Sequence, residues 1–142
     1  MMPIRLLFAL GVAACAAFAG PGAARAQPCA TNFSSSGVPM VSQITYRTWD
    51  LSRKAPAAVL PAIVRAIKAD GDFVDIRTDK ASGTISAMQE VTGSGRPQIL
   101  KVTTRKQATG TRIDIAFTVQ PGQVAPEGAV RKALCDLLRG TR

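Results

Sequence analysis

The sequence predicts an α+β domain: one antiparallel sheet in a two-layer arrangement, with helices on one face. Three observations carry that prediction. Four runs between Phe73 and Gln120 alternate apolar and polar residues with a period of two, separated by short turn-forming segments. Two other segments, 57–69 and 127–139, repeat apolar residues at i, i+4 and i+7. Every strand-like run and both helices have a single apolar face, so one buried layer between them satisfies all of them. The predicted order is β-α-β-β-β-β-α.

In chain order, residues 38–49 read as the first strand, with Ile44 and Tyr46 alternating with Gln43, Thr45 and Arg47. Residues 57–69 form the first helix. Val59, Leu60, Ile63, Val64 and Ile67 make its stripe, Pro61 limits where it begins, and Gly71 ends it. Phe73 to Asp79 places Val74, Ile76 and Thr78 on one face and Asp75 and Arg77 on the other. Residues 84–91 bury Ile85, Ala87 and Val91. Gln98 to Gln107 turns Leu100 and Val102 inward and Lys101, Thr103 and Arg105 outward. Residues 111–120 put Ile113, Ile115, Phe117 and Val119 inward, with Arg112, Asp114 and Thr118 outward. A four-residue loop, Ala108-Thr109-Gly110-Thr111, would set Arg105 opposite Asp114 and leave Lys101 and Arg112 without a cross-strand acid. The last helix spans Glu127 to Arg139, with Val130, Ala133, Leu134, Leu137 and Leu138 as its apolar side.

The division predicted is a signal peptide over 1–26, a loop-like leader with the start of the first strand over 27–44, and one α+β domain over 45–142. Arg5 precedes an apolar stretch from Leu6 to Ala19, Pro21 and Gly22 break it, and Ala24-Arg25-Ala26 fits small-x-small cleavage before Gln27. A second processing reading is open, because Val12-Ala13-Ala14-Cys15 resembles a lipobox whose cysteine is lipidated. Cleavage implies a periplasmic or otherwise exported chain. Lipidation implies tethering to an envelope membrane.

Either route leaves two of the three cysteines, Cys29 and Cys135, at opposite ends of the mature chain. In an oxidising compartment they are expected to pair, the alternative being two buried thiols. Losing Arg5 and Arg25 with the leader leaves 16 basic residues against 9 acids, a net charge of +7. Such a chain meets anionic lipid, cell-wall polymer or acidic protein surfaces in the envelope, where nucleic acid is a less available partner.

The chain has no histidine. That excludes Ser-His-Asp and Cys-His catalysis and histidine metal sites. Asp70, Asp72, Asp75 and Asp79 lack the spacing of a calcium loop, and Gly93-Ser94-Gly95 is not followed by the Lys-Ser/Thr of a phosphate loop. No catalytic residue, metal or cofactor is expected. The candidate binding residues are cations: Lys101, Arg105 and Arg112 on the outward face of the last hairpin, Lys106 beside them, and Arg53 and Lys54 following Trp49.

The string Ala62-Ile63-Val64-Arg65-Ala66-Ile67-Lys68-Ala69-Asp70-Gly71-Asp72-Phe73-Val74, continued by Asp79-Lys80-Ala81-Ser82-Gly83-Thr84-Ile85-Ser86-Ala87, resembles small exported bacterial envelope proteins and lipoproteins with a helix-grip-like domain. It is similar to the helix-grip domain of lipoprotein component C of the outer-membrane β-barrel assembly machine. That resemblance implies an accessory or scaffold role without catalytic residues. The function expected is therefore a non-enzymatic envelope protein that meets a protein or anionic partner through a basic surface. The alternative is a small carrier holding an apolar or lipid-like ligand between helix and sheet, under Val59, Ile63, Ile67 and the 113–119 face.

Overall fold

A computed structural model describes residues 28–91, 93 and 95–142. The predicted signal peptide, its cleavage site and Cys15 lie outside these residues. Helix α1 (Pro28–Thr31) and strand β1 (Ser34–Ser36) precede β2 (Ile44–Ser52), α2 (Pro56–Asp70), β3 (Phe73–Asp79), β4 (Thr84–Gln89), β5 (Gln98–Gln107), β6 (Gly110–Val119) and α3 (Glu127–Arg139). All strand pairings are antiparallel, in the spatial order β1-β2-β6-β5-β4-β3. The predicted α+β class is what the chain adopts, with six strands in place of five.

The topology follows from one long connection. β2 sits four interstrand steps from β3, about 19 Å at the usual spacing of strands. α2 has 15 residues and is about 22 Å long, enough to carry the chain across. The β3–β6 meander then returns strand by strand until β6 pairs with β2. Pro56 opens α2 where its missing N–H needs no partner, and Gly71 closes it in the left-handed region at φ 85°. Pro61 falls in the second turn, on the exposed side, so the helix runs through it.

The core lies between one face of this sheet and helices α2 and α3. Val59, Ile63 and Ile67 of α2 meet Ile85, Leu100, Val102, Ile113, Ile115 and Val119, all but completely buried. Leu134, Leu137 and Leu138 of α3 complete the layer, whereas Ala133, expected on that side, is exposed. A single Leu or Ile withdrawn from water in this way contributes about 1.5–3 kcal/mol.

Three expectations are corrected. The leader expected as a loop contains α1 and β1. Ser34, Ser35 and Ser36 pair with Arg47, Tyr46 and Thr45, a strand that shows no apolar alternation in sequence. Its neighbours hold it: Phe33 stacks on Tyr46 at 5.9 Å between ring centroids, and Arg131 lies over Phe33 at 4.8 Å. The Tyr46 hydroxyl donates to the Ala125 carbonyl at 2.8 Å, and burial, with Glu127 nearby, raises its pKa. Second, Val74 does not face inward. A bulge between Val74 and Arg77, with Asp75 at φ 50°, resets the alternation so that Phe73 and Ile76 pack on the core and Val74 is exposed. Phe73 meets Phe117 edge to face at 6.4 Å. Third, Val91 lies beyond β4, which stops at Gln89.

Cys29 of α1 and Cys135 of α3 form a disulfide, with Cα atoms 5.7 Å apart. It ties the beginning of the described chain to the last helix, and the Thr48 hydroxyl donates to the Cys29 carbonyl beneath it. At the other end Arg142 reaches the buried Asp50 carboxylate at 2.7 Å, and the Ser52 hydroxyl donates to the Thr141 carbonyl. Both termini of the described chain are thus fixed to β2.

Candidate basic face on the open side of the sheet

The residues that face away from the helices form cross-strand rows. At one end, Leu51, Arg112 and Arg105 lie side by side. The next row is Trp49, Asp114, Thr103, Thr84 and Asp79. The third runs Ser34, Arg47, Ala116, Lys101, Ser86 and Arg77. The fourth, at the opposite end, is Ser36, Thr45, Thr118, Ile99, Met88 and Val74. Charge occupies the first three rows, and the last is uncharged, hydroxyl side chains on β1, β2 and β6 giving way to apolar ones on β5, β4 and β3.

The last hairpin is tighter than expected. Gln107 pairs with Gly110, so the loop is Ala108-Thr109, and Arg105 falls opposite Arg112 rather than Asp114. Two guanidinium groups directly opposite repel each other, and Asp114 relieves this from the adjacent row. Arg112 donates to Asp114 through Nε at 3.1 Å and Nη2 at 2.9 Å, and Arg105 Nε stands 4.0 Å away. Arg112 also stacks over Trp49 at 4.3 Å. It is therefore already engaged by an acid and a ring, contrary to the expectation that it lacks one. Gly110 has φ 100°, and a Cβ there would meet the Ser52 carbonyl oxygen at 2.0 Å, so the close approach of β2 as well as the turn demands glycine.

The structure brings Lys101, Arg105 and Arg112 together around a depression of about 470 Å³, lined also by Asn32, Ser34, Trp49 and Ala116. Lys106 does not join them. It pairs with the buried Thr111 and so alternates to the helix-facing side, beyond the helices. Arg53 and Lys54 follow the end of β2 and do not line the depression. Two cations not counted among the candidates do belong to the face: Arg47, which lines the depression, and Arg77 in the same row. Alternation already turns both outward. Their membership depends on lateral register, which alternation does not set.

Among the described residues the side chains of Lys101 and Arg77 make no hydrogen bond or ion pair, and that of Arg47 has only the Ser36 hydroxyl, at 3.1 Å. The four aspartates considered for a metal do not converge, and no group of three His, Cys, Asp or Glu residues among the described residues is placed to hold one. Asp79 serves the β3–β4 turn. Its carboxylate accepts from the backbone N–H of Ala81 at 2.9 Å and of Ser82 at 3.2 Å. The Ser82 hydroxyl is the leading cause of its lowered pKa.

A second concavity, about 760 Å³, lies on the helix side between α2 and the β3–β4 turn, lined by Leu60, Pro61, Val64, Arg65, Lys80 and Thr104. It is not the space anticipated for an apolar ligand. Val59, Ile63 and Ile67 are closed against the sheet, and the groove runs along the other flank of α2.

Among the described residues no helix is long and apolar enough to cross a membrane, and the disulfide is compatible with an exported protein. No family model matches the chain, and no curated protein matches it. Solved structures do. Ara h 8.0201 superposes with a TM-score of 0.50 at 13% identity, over 70% of this chain and 94% of that one. A conserved protein of unknown function, EF2215 from Enterococcus faecalis, gives 0.48 at 9% identity over 76% and 75% of the two chains. CalU16 from Micromonospora echinospora gives 0.48 at 12% identity over 78% and 83%. At such identities likeness is a matter of fold, and the fold is a curled antiparallel sheet of the helix-grip type carrying helices on one face.

Proposed function

We propose that this is a non-enzymatic accessory protein of the cell envelope that binds an anionic partner through the open face of its sheet. One observation carries the reading: Lys101 and Arg47 stand beside Trp49 without a carboxylate, while Arg105 and Arg112 share Asp114. A chain with excess positive charge that leaves cations uncompensated on one open sheet face presents a field to which anionic surfaces are drawn. The absence of histidine from the sequence and the resemblance to the helix-grip domain of the assembly-machine lipoprotein support an accessory role over catalysis. The disulfide and the signal-like leader support export to the periplasm, soluble if cleavage follows Ala26 and membrane-tethered if Cys15 is lipidated. Intact-mass analysis of the native protein separates a chain beginning at Gln27 from an acylated Cys15.

The functional test is co-sedimentation with anionic and neutral vesicles and with purified cell-wall polymer, at low and physiological salt. Binding to the anionic material should weaken with salt, because exposed charges are screened beyond about 8 Å at 0.15 M. The double variant Arg47→Glu/Lys101→Glu should lose it and Lys106→Glu should keep it. Binding that ignores both salt and the double reversal would reject the basic-face reading.

The groove beside α2 favours a second reading, a carrier for an apolar or lipid-like ligand. Its volume is within the usual range for small-molecule sites, and Arg65 and Lys80 stand at its lining. Displacement of a fluorescent fatty acid, abolished by Val64→Trp, would support it. No uptake of the probe would reject it.

A further inference from the structure

The third cross-strand row of the open face has an order that the charge count alone does not convey. Reading across the sheet from β2 to β3, the residues are Arg47, Ala116, Lys101, Ser86 and Arg77. A long cation alternates with a small side chain on every second strand. Strands lie 4.7–4.9 Å apart, so the cations rise from the sheet at intervals of about 9–10 Å, with a shallow trough over Ala116 and Ser86 between them. None of the three pairs with an acid among the described residues. The rows on either side differ. One contains Asp114 and Asp79, and the other is uncharged. The cations of this face that have no acid partner at all thus form a line perpendicular to the strands.

We propose that this row is a binding track for a linear acidic polysaccharide that carries one carboxylate per pair of sugar rings. The inference rests on the basic-face reading and names its ligand. A chain of alternating charged and neutral rings offers anions at an interval comparable with the spacing of Arg47, Lys101 and Arg77. Its neutral rings fit over Ala116 and Ser86, where a larger side chain would lift the polymer away. A polymer charged on every unit would place half its anions over the trough, away from any cation. Trp49 flanks the track in the neighbouring row, with Arg112 stacked over its ring.

Isothermal titration with hyaluronate oligosaccharides of defined length tests this on the folded, disulfide-bonded chain. Three cations span two intervals, so affinity should rise from the disaccharide to the hexasaccharide, which has three carboxylates, and then level off. Arg47→Ala, Lys101→Ala and Arg77→Ala should each weaken hexasaccharide binding about two- to fivefold, the loss expected for one exposed charge contact. Ala116→Leu, which changes no charge, should weaken it as well, and Lys106→Ala should not. Circular dichroism melts of each variant separate loss of binding from loss of fold. Polygalacturonate, polyphosphate and anionic vesicles are the comparison ligands. If any of these binds through Lys101 while hyaluronate does not, the track is overturned and the basic-face reading stands. Affinity independent of length beyond the disaccharide, or unaffected by Ala116→Leu, also overturns it. If no polyanion binds, both fall.

Discussion

β6 shows two kinds of surface made by one strand. On one side Ile113, Ile115, Phe117 and Val119 are buried under α2 and α3. On the other Arg112, Asp114, Ala116 and Thr118 lie half-buried with no helix over them. The helix-facing side is closed by aliphatic packing, a disulfide and a carboxyl terminus pinned to β2. The open side is held mainly by backbone pairing, with one local cluster of Trp49, Arg112, Asp114 and Arg105. On the proposed function, stability and recognition belong to different faces, so changes on one side need not be felt on the other.

The largest test of that division is the disulfide. Cys29→Ala/Cys135→Ala removes a crosslink spanning 106 residues, for which chain entropy predicts a loss of about 4–5 kcal/mol. Urea denaturation should record that loss. Below the unfolding transition the variant should keep its polyanion binding, since neither cysteine touches the open face. Loss of binding in the folded variant would break the comparison.

A smaller effect is expected within β6 and its partner. Ile115→Ala empties a buried site and should cost about 2–5 kcal/mol, whereas Lys101→Ala across the sheet should stay within about 0.5 kcal/mol. Paired thermal and denaturant curves check this. Equal costs would mean that the open face is also structural.

Next comes the end of the chain. Arg142→Ala leaves the buried Asp50 carboxylate without its 2.7 Å ion pair, although its Oδ1 still accepts from the Leu51 N–H. About 1–2 kcal/mol of stability should go, read from the urea midpoint. No change would show that Arg142 only decorates the surface.

The smallest effect is the pH dependence of α3. Asp136 is held below its ordinary value of 3.8, first by the hydrogen bond from Lys132 and then by the charges of Lys132 and Arg139. Arg139 Nη2 lies 2.7 Å from Oδ1 outside hydrogen-bond geometry, so that contact is an ion pair. A lowered folded pKa stabilises above the unfolded value and is lost as pH falls through the folded one. The stability gap between wild type and Asp136→Asn should therefore close as pH drops below 3.8. A gap that persists at lower pH would assign the loss to packing.

Sequence made the two faces legible because alternation is local. Leu100, Val102, Ile113 and Phe117 could be placed inward, and Lys101, Arg105 and Arg112 outward, without any knowledge of neighbours. α3 ended where Arg139 and Gly140 suggested. What alternation does not encode is lateral register. The turn at Gly110 admits loops of two or four residues with the same inward set, and the choice moved Arg105 from Asp114 to Arg112. The bulge at Asp75 uses a non-glycine residue at positive φ and leaves no mark in composition, so alternation alone puts Val74 inward. β1 is three serines held by pairing and by Phe33, with no apolar signal of its own. The candidate site was accordingly half visible. Its cations could be picked out by strand, but the row that joins Arg47, Lys101 and Arg77 exists only once five strands are in register.

The most direct test of the central claim is amide chemical-shift mapping of the 15N-labelled protein during titration with an acidic oligosaccharide. The account predicts shifts concentrated on the open face, at Arg47, Ala116, Lys101, Ser86 and Arg77, with the amides of α2 unmoved. Shifts confined to α2 and the β3–β4 turn, or none at millimolar ligand and low salt, would contradict it.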